Sequence, residues 1–258
     1  MIQLESLTFS YPNHKPIFED FSWLAGTGQS WAVLGTSGCG KSTLLYLLAG
    51  LLQAASGRIL INGTSVTGPR PQTGLILQDY GLLPWATVRQ NVALGLNLRQ
   101  FYGPDGIHAP AQALPIDAEE RVSYWLDRLN ISQTAGQYPG QISGGQRQRA
   151  AIARTLVLEP DLLLMDEPFA SLDAPARESL QSLILNLHAE RPITTILVTH
   201  TIDEALFVGE KILVLHNTIN RVPLILDNVY VGMVPPVSAE GYSSLAAQLR
   251  TELKGVPE

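Results

Sequence analysis

One octapeptide restricts the possible folds of this chain more than any other feature. Gly35-Thr36-Ser37-Gly38-Cys39-Gly40-Lys41-Ser42 fits the pattern G-x-x-x-x-G-K-[ST]. It sits between a short apolar run, Trp31-Ala32-Val33-Leu34, and a segment from Thr43 to Leu52 that is apolar nearly all round. The first reads as a strand and the second as a buried helix. In a strand–loop–helix of this kind the glycines let backbone N–H groups wrap a phosphate chain, and the helix N-terminus adds its dipole. Lys41 is then placed to reach the β- and γ-phosphates, and the Ser42 hydroxyl to bind Mg2+. The plainer alternative is a glycine-rich turn with an exposed lysine, and the flanking strand and helix weigh against it.

A second group of residues complements the first. Leu162-Leu163-Leu164-Met165 reads as a buried strand that brings Asp166 and Glu167 out at its C-terminal end, where ligands of open α/β sheets sit. Asp166 is placed to hold Mg2+, and Glu167 to polarise an attacking water as general base. Standing alone, such an acidic pair would only cap a strand end. Further back, Ser143 and Gln146 have capping-box spacing at the start of a helix. The intervening Gly144 and Gly145 cost helix stability, which makes sense if a phosphate approaches that N-terminus closely.

Around these motifs, strands and helices alternate. Residues 2–11 alternate apolar and polar as one strand or two. Gly57 to Gly63 reads as a hairpin with Asn62-Gly63 at its turn, and Leu75-Ile76-Leu77 as a short buried strand. From about 81 to 159 the pattern turns helical. Val88 to Leu98 is one candidate. Val122, Trp125, Leu126 and Leu129 mark an amphipathic face, and Gln146 to Leu158 forms a third helix. The glycines and prolines of 101–117 read as a loop or insertion. Then come a helix face at Leu180, Leu183, Ile184 and Leu187, a β-branched strand Thr194–Thr199, strands at 212–215 and 222–233, and a tail from Val234 ending in one last helix. This rhythm implies a mostly parallel sheet covered by helices, with a helical sub-domain inserted at about 81–159.

Composition removes several classes. The 258 residues carry 17 basic and 23 acidic side chains, a net charge of −6, so no general basic surface for nucleic acid is indicated. The single cysteine excludes a disulfide framework and a cysteine-rich metal site, and the five histidines lack metal-ligand spacing. Met1-Ile2-Gln3-Leu4-Glu5 shows no secretory n-region, and no stretch offers ~20 mostly apolar residues. The expectation is a soluble chain of a reducing compartment that works at a membrane only through a partner. Cys39 has two readings: a thiol at the phosphate face with a lowered pKa, or an inert side chain packed against the sheet.

Taken in order, Gly35–Ser42, Ser143-Gly144-Gly145-Gln146 and Leu162–Glu167 resemble the ATP-binding subunit of an ATP-binding cassette (ABC) transporter, over roughly residues 1–233. The resemblance implies an α/β fold: a P-loop NTPase core with an N-terminal antiparallel β part, the helical sub-domain, and a short tail at 234–258. It also implies ATP and Mg2+ as ligands. Tyr11 is similar to the aromatic that stacks on adenine, Gln78 to the Q-loop glutamine that reaches Mg2+ and the attacking water, Ser171-Leu172-Asp173 to the D-loop, and His200 to the switch histidine. By this resemblance Lys41, Gln78, Glu167 and His200 are catalytic, and Ser42, Gln78 and Asp166 hold the metal. Tyr11, Gly35 to Thr43, Ser143 to Gln146 and Asp173 bind nucleotide. Ile142 stands where the family's signature usually has leucine, an apolar exchange of similar volume.

A narrower likeness joins Gln78-Asp79-Tyr80-Gly81-Leu82-Leu83-Pro84-Trp85 and Thr87 to Leu96 to the nitrate, sulfonate and taurine importers, although the 101–117 segment is not typical of that branch. It implies a homodimer or paired ABC subunit, transmembrane permease subunits, an extracytoplasmic solute-binding protein acting indirectly, and a peripheral place on the cytoplasmic face of the membrane. The competing function is a soluble, non-transport ABC ATPase for assembly or lipid extraction. Leu82, Leu83 and Trp85 discriminate: exposed, they favour a membrane partner, and buried, they cover the inserted helices.

Overall fold

The computed structural model describes residues 1–101, 117–170, 172–233 and 240–254. Its elements in chain order are β1 (Ile2–Phe9), β2 (Phe18–Ala25), β3 (Ser30–Gly35), α1 (Lys41–Leu48), β4 (Ser56–Ile61), β5 (Thr64–Ser65), β6 (Thr73–Ile76), α2 (Val88–Phe101), α3 (Ala118–Arg128), α4 (Gly144–Leu156), β7 (Leu162–Asp166), α5 (Ala174–Glu190), β8 (Thr194–Thr199), α6 (Ile202–Val208), β9 (Lys211–Leu215), β10 (Leu224–Asp227) and α7 (Glu240–Lys254). Apart from its two ends, the 101–117 segment lies outside the described residues, as does Ser171.

Two sheets form. One is antiparallel in the order β2-β1-β4-β5; the other has the order β10-β9-β3-β8-β7-β6 and is parallel except where β10 runs against β9. All six residues of β3 and of β8 are buried, as befits central strands with helices on both faces. Successive side chains serve opposite faces. Trp31 and Val33 join Leu162, Leu164, Ile196 and Val198 against α1 and the antiparallel sheet. Ala32 and Leu34 face the other way, toward α6 and α7, while Leu163, Met165 and Leu197 meet the helical block α2–α5.

Helix α1 is shorter than its apolar pattern, which extends to Leu52. A complete Schellman closure ends it: the Leu51 N–H bonds to Tyr46 O at 2.9 Å and the Gly50 N–H to Leu47 O at 3.1 Å, with Gly50 at φ +73. Two elements are not foreseen by periodicity. β2 alternates only from Phe21 onward, because a bulge with Asp20 at φ 50 leaves Glu19 and Asp20 consecutively outside its buried line, and the seven residues of α6 are too few to show a period. The expected strand over 222–233 contracts to Leu224–Asp227. Among the described residues no helix is long and apolar enough to cross a membrane.

A side chain at Gly50 would meet backbone: its Cβ would lie 2.2 Å from Gly68 O. Gly50→Ala is therefore expected to destabilise the fold by at least about 1–3 kcal/mol, the usual cost of a left-handed non-glycine residue, with the clash in addition. The check is the shift in denaturant midpoint.

Candidate nucleotide-binding site

The parallel strands deliver their C-terminal ends to one edge. The loop after β3 begins at Gly35, Gln78 follows β6, Asp166 ends β7, and His200 follows β8. A cleft of about 770 Å3 opens there, lined by Tyr11, Ser37, Gly38, Gly40, Lys41, Ser42, Thr43, Gln78 and Glu167, together with His14, Lys15 and Ile17.

The floor of the cleft is the start of α1. Its N-cap is Gly40, at φ 103, with no side-chain cap and no acidic residue in the first turn. The first N–H groups are thus open to an anion, favoured by the helix dipole. A Cβ at Gly40 would lie 2.3 Å from Ile17 Cγ2, so only glycine lets the loop pass that close. Lys41 is buried, and its Nζ donates to Gly35 O and Thr36 O, both at 2.9 Å. The ammonium is held in the loop by two neutral carbonyls, partners that a phosphate oxygen outcompetes.

Ser42 Oγ donates to Asp166 Oδ1 at 3.0 Å. Burial pushes the Asp166 carboxyl above the usual carboxylate range. The Ser42 hydrogen bond opposes this shift and the adjacent Glu167 charge adds to it. A hydroxyl, a desolvated carboxylate and the Gln78 side chain beside one cleft form a set of hard oxygen donors, and a divalent cation there would favour the ionised form of Asp166 against its burial. The residues present fit Mg2+.

Glu167 adopts φ 45, a left-handed conformation, while its N–H bonds to Val198 O at 3.0 Å. Strain of this kind gathers at functional sites. The kink turns the carboxylate out of the strand line toward His200, whose Nδ1 lies 3.2 Å from Glu167 Oε2. At the opposite rim, the Tyr11 hydroxyl lies 3.3 Å from Thr43 Oγ1, its ring meets Phe9 edge-on, and the residue is exposed, leaving area for stacking.

The remaining nominated residues lie elsewhere. Ser143 caps α4 with a reciprocal box, accepting from Gln146 N at 3.3 Å while Gln146 Oε1 accepts from Ser143 N at 2.9 Å. Ser143, Gly144, Gly145 and Gln146 do not line the cleft of their own chain. Neither does Asp173, which caps α5 by accepting from Ala176 N at 3.0 Å. Ile142 is buried against the helical block. Cys39 is a correction: its side chain is only 2% exposed, it packs with the core beneath the loop, and burial raises its thiol pKa, with Lys41 offsetting part of the shift. Of the two readings of Cys39, the packed side chain is the one observed, and the lowered pKa of the other is not.

Three lining residues escaped sequence reasoning. His14, Lys15 and Ile17 follow Tyr11 through a turn with Asn13 at φ 62 and the His14 N–H on Tyr11 O at 3.1 Å. Their signal was position alone, beside an aromatic. The loop after Gln78 is also held in a way the motifs do not reveal. Tyr80 and Gly81 are both left-handed, and Arg154 of α4 donates to their carbonyls at 2.8 and 2.5 Å. Beyond them Leu82 packs against the helical block, whereas Trp85 is 73% exposed, so the two readings of this loop divide between its residues.

Residues 18–170 match the family model described as ABC transporter. The chain is 39% identical to a taurine import ATP-binding protein, TauB, of Roseobacter denitrificans, over 81% of this chain and 75% of that protein. It is 36% identical to an aliphatic sulfonates import ATP-binding protein, SsuB, of Bacillus cereus, over 82% of this chain and 78% of that one. Among solved structures it is similar to a dimeric ATP-binding cassette in a post-hydrolysis state bound to ADP and Pi, with a TM-score of 0.73 and 26% identity, covering 88% of this chain and 98% of the other.

The position of Cys39 has a direct consequence. A buried thiol of raised pKa presents little thiolate, so iodoacetamide at mildly alkaline pH is expected to label the native chain far more slowly than the urea-unfolded chain. Mass spectrometry of timed samples checks this, and equal labelling rates would contradict the packing.

Proposed function

We propose a function that starts from family membership: this chain belongs to the ABC transporter family. It is an ATPase subunit that binds ATP, pairs with a second cassette and drives membrane permease subunits. The observation that carries the reading is the convergence of Lys41, the Ser42–Asp166 pair and the Glu167–His200 pair on one cleft, while the Ser143–Gln146 helix start stays outside it. The first half of a hydrolytic site is therefore in this chain, and the missing half is the Ser143–Gln146 segment of another copy.

The roles follow from chemistry. Tyr11 stacks on adenine. The N–H groups of the Gly35–Thr43 loop and the Lys41 ammonium take the β- and γ-phosphates. Ser42, Asp166 and Gln78 hold Mg2+, which when bound neutralises phosphate charge. Glu167 accepts the proton of a water as its oxygen attacks the γ-phosphorus, the bond to the ADP oxygen breaks, and phosphate leaves. His200 orients Glu167 and the γ-phosphate. Such a reaction needs little beyond positioning and electrostatic stabilisation, which a rigid strand edge supplies. Asp173, with Ser171, belongs to the surface between the copies. The ATPase domain occupies residues 1–233 with the helical sub-domain at about 81–159, and 234–258 form a tail.

The transport reading rests on the import proteins it resembles and on exposed Trp85 in the loop that follows Gln78. The solute is a small anion of the taurine, sulfonate or nitrate type. An extracytoplasmic binding protein delivers it to the permease, and this subunit sits on the cytoplasmic face. The non-transport alternative leaves Trp85 without a partner.

Glu167→Gln tests the shared site. The amide keeps the shape but accepts no proton, so turnover falls by about 10²–10⁴, and MgATP holds two copies together. Size-exclusion chromatography should show a shift from monomer to dimer on adding MgATP. A variant that stays monomeric at high concentration would sink the two-copy site.

Trp85→Ala tests the permease contact. Basal ATPase should be unchanged and permease-stimulated ATPase largely lost; unaltered stimulation counts against this placement.

A further inference from the structure

Asn220 lies outside every nucleotide-binding motif, yet it is only 6% exposed and stands directly behind the phosphate loop. Its Nδ2 is surrounded by four carbonyl oxygens: Ile17 and His216 at 3.2 Å, Thr218 at 3.3 Å and Cys39 at 3.4 Å. Its Oδ1 accepts from His216 N at 3.0 Å. Reversing the amide would set an oxygen against four acceptors, so this orientation is fixed by the surroundings. The backbone adds to the joint: the Asn220 N–H bonds to Ile17 O at 2.9 Å, and the Glu19 N–H to Asn220 O at 3.0 Å.

Two of these contacts bear on the cleft. Cys39 O and the Gly40 N–H belong to one planar trans peptide, so they point to opposite sides. Drawing the carbonyl back toward Asn220 turns the Gly40 N–H forward, on the side where Gly40 lines the cleft. Ile17, which also lines the cleft, is tied to the same residue from the adenine side, and its Cγ2 occupies the space a side chain at Gly40 would take. One amide thus spaces the wall of the base pocket from the phosphate cradle.

We propose that Asn220 is a positioning residue for ATP, acting through the Cys39–Gly40 peptide and Ile17 rather than by touching the nucleotide. The proposal rests on the ATPase reading above. A buried donor shared among several acceptors is replaced by an unfilled gap in Asn220→Ala, which frees that peptide to rotate. The groups that perform hydrolysis, Glu167 and His200, follow β7 and β8, whereas Asn220 lies between β9 and β10.

The test is the split between KM and kcat in the full chain with MgATP, together with direct ATP binding by calorimetry. Asn220→Ala should raise KM and Kd on the order of 10-fold, with kcat at saturation within about twofold. Asn220→Ser keeps one donor and should fall between Ala and the unsubstituted chain; it stands in for Ala if that variant does not fold. A residue that merely stabilises the fold would lower the melting temperature and the active fraction, leaving Kd of the folded protein unchanged. That result, or a fall in kcat at unchanged KM, overturns the proposal. Failure of the unsubstituted chain to bind ATP would overturn the ATPase reading as well, whereas normal binding with an unshifted Kd in both variants overturns this inference alone.

Discussion

Helix α1 is gripped on all sides, and the direction of its first N–H groups follows from that grip. Leu44, Leu45, Leu47 and Leu48 are fully buried between the antiparallel sheet and the parallel one. Full burial of each such side chain contributes roughly 1.5–3 kcal/mol, so the helix is anchored by packing, not by propensity over eight residues. The Schellman closure at Gly50 stops it from running on into the hairpin. A helix that neither rotates nor slides presents a fixed set of donors at its uncapped end, and the lysine, serine and strand-end acids are all placed relative to it.

The ends of the parallel strands were legible because burial on both faces leaves a continuous apolar run, and the chemistry follows immediately after. Leu162–Met165 announces Asp166, and Thr194–Thr199 announces His200. What was not legible depends on contacts distant in sequence. The direction of the Cys39 side chain is decided by the core beneath it, and a glycine-flanked cysteine reads the same whether it faces phosphate or leucine. Asn220 has no local pattern that points to the cleft, since the two partners that tie it there, Cys39 and Ile17, are 181 and 203 residues away. Short α6 gave no period to count. The capping box at Ser143 was correctly readable as structure, but sequence alone does not say that it faces away from its own cleft.

In the proposed two-copy site, helix α4 connects two regions that act on different nucleotides. Its N-terminus carries the Ser143–Gln146 box, and further along Arg154 fixes the left-handed pair Tyr80 and Gly81 while the Arg147 guanidinium lies 5.8 Å from the Tyr80 ring centre. Burial lowers the Arg154 pKa, and the Asp79 charge opposes the shift. Its charge-assisted bonds to backbone are strong enough to hold a strained turn in register. The loop bearing Gln78 and exposed Trp85 is therefore shaped by the same helix whose N-terminus, in the proposed site, meets the neighbouring copy's nucleotide.

In the proposed two-copy site, that outward-facing helix start has a kinetic consequence. A catalytic unit divided between two copies obeys the law of mass action, and in dilute solution the number of complete units falls with the square of the chain concentration. A membrane partner that carries two docking places for this chain changes the regime. It converts a second-order encounter into a local one, at an effective concentration set by the spacing of the two places and not by expression level. The permease then acts as an organiser as well as a load, and the idle rate of free subunits is suppressed simply because they are far apart.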